Sequence, residues 1–127
     1  VNETLARELT VQVSAGRSGT RPHVLRRAVA GTSAKAGLPI DRIDDAVMIL
    51  EALLCDEPTA RADEVHLVLT ARPGSFALLM GPLAGAEAER LLASASLPVV
   101  GPVIERLATR AFTVDGGSHL LIVVDAP

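Results

Sequence analysis

The sequence predicts an α+β two-layer sandwich, a mainly antiparallel or mixed β-sheet with helices on one face. Three observations carry this prediction. Stretches at 9–13, 64–71, 75–80, 111–114 and 119–124 are short, apolar and often alternating, as half-buried strands are. Longer stretches between them place apolar residues every three or four positions, the helical period. Two turn signals, Arg72-Pro-Gly-Ser75 and Asp115-Gly-Gly-Ser118, join neighbouring strands as hairpins.

Taken in order, residues 1–8 are expected as a flexible arm and 9–127 as a single domain. The first strand sets Leu9, Val11 and Val13 against Thr10 and Gln12. A Gly- and Ser-rich loop is expected at 14–20. Pro22 suits the first turn of a helix running to about Ala36, with Thr20 as its cap. Its inner face would be Leu25, Ala28, Val29, Thr32 and Ala36, and Gly37 stands where a helix-terminating glycine belongs.

The second helix, 41–55, shows two faces of different chemistry. Ile43, Val47, Leu50 and Leu54 form a core stripe; Asp44, Met48, Glu51 and Cys55 form a second face. Asp44 and Asp45 help to start this helix, where negative charge is favoured, and Pro58 marks its end. Val65, Leu67 and Leu69 then face one way and His66, Val68 and Thr70 the other, and 75–80 returns as the hairpin partner. Pro82 breaks that strand. A short helix at 85–94 turns Leu91 and Leu92 inward. A further helix is expected between the prolines at 98 and 102 and Leu107, with Val99, Val103, Ile104 and Leu107 at helical spacing. The order is β-α-α-β-β-α-α-β-β.

Composition narrows the functional classes. The chain has 127 residues, 49% hydrophobic, with no Trp or Tyr and two Phe, so its core is aliphatic. Net charge is −3 and the charges are scattered, which disfavours nucleic acid as a partner. No apolar run approaches a membrane span, and the N-terminus carries no apolar signal core, so a cytoplasmic, membrane-free protein is expected. The single cysteine, Cys55, excludes an internal disulfide. With no second Cys and no His near it in sequence, it is expected as a small buried residue rather than a redox or metal-binding thiol. His23, His66 and His119 match no zinc spacing and are expected at or near the surface. No metal site is expected.

The element order resembles the histidine-kinase-like ATPase fold (GHKL, Bergerat-type), in the compact form of the bacterial anti-sigma-factor serine kinases. Three stretches carry the resemblance: Leu38-Pro-Ile-Asp-Arg-Ile-Asp-Asp-Ala-Val-Met-Ile-Leu-Glu51, Gly81-Pro-Leu-Ala-Gly85, and the run from Pro102 to Val124. It covers nearly the whole chain, strongly in order and spacing and weakly in chemical motifs. In the family, a Glu on the second helix orients or activates the attacking group, and an Asn four residues later holds magnesium. Glu51 matches the first. Cys55 stands at the second, and a thiol is a poor ligand for a hard cation. Asp56 and Glu57, if helical, would point elsewhere. The family's adenine-reading Asp is replaced by Met80 or Gly81, with Gly81 and Gly85 left of its glycines. The phosphate-covering lid is reduced to Ala95-Ser-Leu-Pro-Val-Val-Gly-Pro102, where only Gly101 remains.

The resemblance therefore implies a regulatory domain with a dismantled nucleotide site and no cofactor. Its partner would be a sigma factor or an anti-sigma antagonist (anti-anti-sigma protein), and a homodimer is also implied. Glu51 is then either a vestigial base or an ordinary solvated helix residue. The alternative is an active ATP- and magnesium-dependent serine/threonine protein kinase with Glu51 as base. A third reading assigns the cleft between the second helix and the 80–85 loop to a greasy or neutral ligand.

Overall fold

The computed structural model describes residues 8–127. Of the expected N-terminal arm, 1–8, all but Glu8 lies outside the described residues. The elements are β1 (Leu9–Gly16), α1 (Arg21–Lys35), α2 (Ile40–Cys55), α3 (Glu57–Arg61), β2 (Glu64–Arg72), β3 (Ser75–Met80), α4 (Glu87–Ser94), β4 (Ser96–Leu97), β5 (Gly101–Pro102), α5 (Val103–Leu107), β6 (Arg110–Val114) and β7 (His119–Asp125). Five strands form one sheet in the order β1-β2-β3-β7-β6, every neighbouring pair antiparallel. The protein is α+β, as expected.

Register explains the layering. Leu67, Met80 and Leu120 stand opposite one another across three strands, as do Leu69, Leu78 and Ile122 and then Ala71, Phe76 and Val124. All nine are buried. They join Leu25 and Val29 of α1, Ile49 and Leu53 of α2, Leu91 of α4 and Val103 of α5 in one core. Because side chains alternate along a strand, the opposite face receives Val68, Leu79 and Leu121, all only half-buried.

Several expectations change. The expected order lacks α3, whose first turn holds Pro58, and the two-stranded β4–β5 ribbon. Strand β1 continues to Gly16, through the first half of the expected loop, because it pairs along its length with β2 as far as Gly16 opposite Glu64. Thr20 occupies the N-cap of α1 without a side-chain capping bond, although Pro22 sits in the first turn as read. Helix α2 buries Ala46, Ile49, Leu50, Ala52 and Leu53, whereas Ile43, Val47 and Leu54 are half-buried on its flank. The helix touches α1, α5 and the sheet at once, so its apolar arc is wider than one stripe. Finally, the last short helix starts only at Val103. Val99 precedes it in the β4–β5 turn, fully exposed and with a positive φ of 72°. Gly37, also at positive φ (77°), ends α1 as read.

Candidate functional site

The main candidate cleft for a ligand, about 240 Å³, opens between α3 and the chain leaving β3; a larger depression of about 380 Å³ lies between α4, α5 and β6, lined in part by Leu92, Ile104 and Arg110. One wall of the main cleft is Pro58, Thr59 and Ala62; the facing wall is Pro82, Leu83 and Ala84, with Val65 and Met80 between them. Glu64, His66 and Glu87 add the ionisable groups.

Both walls are fixed by contacts distant in sequence. A five-residue helix cannot satisfy its own last carbonyls. The buried Arg21 does so for α3, its guanidinium donating to the carbonyls of Thr59 (3.1 Å), Ala60 (3.0 Å) and Ala62 (2.7 Å). The facing loop is tied by Leu83 N–H donating to the Ser118 carbonyl at 2.6 Å and Gly81 N–H donating to the His66 carbonyl at 3.3 Å. Gly81 permits this approach because it lacks a side chain. A Cβ there would lie 2.5 Å from Cδ2 of the His119 ring and 2.8 Å from the Ser118 carbonyl oxygen. The His119 ring is itself held, its Nδ1 2.8 Å from Ser118 Oγ.

Beside the cleft, charges close on one another. Arg90 of α4 binds both oxygens of Asp56 at 2.7 Å and donates to Glu87 at 2.6 Å. This two-pronged geometry is the strong form of a carboxylate–guanidinium pair. The hydrogen bonds from Arg90 hold the Asp56 carboxyl below its ordinary range, outweighing the opposing effect of burial, and in return raise Arg90. Thr59 and Glu87 line the main cleft, while Asp56 lines a second recess of about 230 Å³ with Cys55 and Ser94. The ion network is thus a shared partition.

The sequence-predicted residues divide between these features. Met80 and Gly81 line the main cleft, but Met80 is only 3% exposed and its side chain belongs to the core. Cys55 lines the second recess and is exposed, correcting the expectation of burial; α2 stops there and Asp56 turns into extended backbone. Asp56 thus lies outside the helix, whose end at Cys55 is as read. Glu51 lines neither recess. It accepts a hydrogen bond from Arg26 Nε of α1 at 3.1 Å, both side chains being more than one-third exposed. Gly85 lies just past the cleft loop, and Gly101 sits in the β4–β5 ribbon opposite Leu97. His66 is exposed, His119 half-buried and His23 exposed, as expected. Sequence reasoning missed Arg21 and Arg90; only the Glu87–Arg90 spacing, three apart on a helix, offered a local signal.

The positions that the resemblance would assign to a magnesium nucleotide carry different chemistry here. Gly81 has no room for an acceptor side chain, and Met80 offers none. Cys55 presents sulfur, a poor ligand for magnesium, and the neighbouring Asp56 carboxylate is engaged at both oxygens. No protein-family model matches the chain, and no curated protein matches its sequence.

Proposed function

We propose that the chain is a cytoplasmic regulatory domain of the histidine-kinase-like ATPase fold, similar to the anti-sigma-factor serine kinases. It works by binding a sigma factor or an anti-sigma antagonist, without ATP turnover. Support for the fold comes from the element order and from the antiparallel sheet carrying its helices on one core-forming face.

The observation that carries the loss of ATP chemistry is the close packing at Gly81. The resemblance sets an adenine-reading carboxylate at this position or the one before. The His119 ring and the Ser118 carbonyl occupy that space, and Met80 is in the core. The position implied for the magnesium-binding amide carries the Cys55 thiol, and Glu51 is engaged by Arg26. A packed α+β scaffold without the polar groups that the resemblance implies for ATP fits recognition of a protein better than catalysis.

Titration calorimetry with ATP and magnesium is the first test. No saturable heat is expected, and micromolar binding would overturn the reading. Sedimentation with purified sigma factors and antagonists of the host tests the partner. A complex equally tight with and without Mg-ATP is expected; failure to associate with either class would reject it.

A further inference from the structure

We propose that the main cleft binds an uncharged, planar, bicyclic aromatic molecule of about the size of indole. This goes beyond the protein-binding reading and does not depend on it.

Size comes first. A dry apolar cavity of about 150 Å³ holds benzene. The present cleft is about 240 Å³ and open to solvent on one side, enough for two fused rings. The walls give the chemistry. Pro58 and Ala62 on one wall, Pro82 and Leu83 on the other, and Val65 between them carry side chains without a polar atom. Such walls favour a flat apolar body. Charge then excludes other classes. Glu64, His66 and Glu87 line the cleft, and among the described residues no Lys or Arg does. Arg90, the nearby cation, is held by Asp56 and Glu87. An anion would meet the Glu64 carboxylate, and could gain Arg90 only by displacing Asp56 and Glu87 from it. A purine base would bring several polar ring atoms toward Pro58, Ala62, Val65, Pro82 and Leu83, an unfavourable burial for each atom that Thr59, Glu64, His66 or Glu87 does not partner.

The walls are also preformed. Arg21 fixes α3 and the Ser118 carbonyl fixes Leu83, so little ordering cost falls on binding.

Amide chemical-shift titrations of the full chain with indole, indole-3-acetate and adenine test the proposal. Indole is expected to give saturable shifts confined to α3, the start of β2 and the loop at 81–84. Indole-3-acetate should bind at least about tenfold more weakly, because repulsion is the discriminating element. Adenine should give no saturable shift. Ala62→Trp, which fills the cleft from one wall, should abolish the indole shifts. Ala84→Trp, at an exposed position on the other wall, does the same if the first variant folds poorly. Absence of saturation with indole up to its solubility overturns the proposal. So does indole binding that survives in folded forms of both variants, or adenine binding as tight as indole. None of these results touches the partner test, while Mg-ATP binding without indole binding would defeat both readings separately.

Discussion

The middle of α2 and its C-terminal end belong to differently built regions. Around Ile49 and Leu53, each 1% exposed or less, contacts are aliphatic and many. Around Cys55 and Asp56 the contacts are few, polar and individually specific, with one arginine holding two carboxylates. Apolar packing depends on summed volume and tolerates exchange among similar residues. A polar site depends on particular atoms and is lost when one of them changes. The same helix can therefore keep a scaffold at its centre while its end takes on different chemistry.

The largest expected effect contrasts these regions directly. Leu53→Ala, fully buried, should cost about 2–5 kcal/mol of unfolding free energy through lost burial and an unfilled cavity. Leu83→Ala, half-buried on the cleft wall, should cost about 1–1.5 kcal/mol. Urea denaturation of both variants measures the difference. Equal costs would mean that the cleft wall is as much a part of the core as α2 is.

How much of this contrast can be read from the chain follows its physics. The sheet is legible because antiparallel strands with one buried face alternate with period two, as Val65, Leu67 and Leu69 do. The centre of α2 is not: an apolar arc spanning several neighbours contains more than one stripe at helical spacing, and Ile43-Val47-Leu54 is the flanking one. Val99 also has helical spacing, but the turn between Leu97 and Gly101 removes it from the helix. The exposure of Cys55 is not legible either, because burial at a helix terminus depends on where the chain turns, here at Asp56. The polar site is least legible. Asp56 and Arg90 are 34 residues apart, and Arg21 and Ala62 are 41 apart. Nothing local announces such pairs. Gly81 is intermediate: the absence of any acid between Phe76 and Ala86 is visible in sequence, but the His119 ring packed against Gly81 is not.

A medium effect sharpens the comparison at that glycine. Gly81→Ala should destabilise by about 1–3 kcal/mol, the range for forcing an atom into a filled site. His119→Ala in the same chain should recover part of the loss but not all, because the Ser118 carbonyl oxygen also stands within 2.8 Å of the added carbon. A double-mutant cycle isolates the shared term. Full additivity of the two substitutions would show that His119 yields freely and does not define the space at Gly81.

The smallest effect concerns the charged partition and is read through pH. Arg90 holds the Asp56 carboxyl below its ordinary value of 3.8, so on acidification the unfolded chain takes up this proton before the folded one does. The stabilisation is therefore fully present well above that value and is lost as pH falls through the lowered folded value. Asp56→Asn should lower Tm by a few degrees at neutral pH, and the difference from the parent should hold steady until pH falls below about 4, then close. Using the difference cancels the titration of carboxylates common to both proteins. Arg90 is 38% exposed, so added salt should shrink the gap at neutral pH without moving the acid range in which it closes. A difference that persists undiminished into strong acid would show that Asp56 contributes through shape, not charge, and the partition would then resemble the apolar middle of α2 more than its geometry suggests.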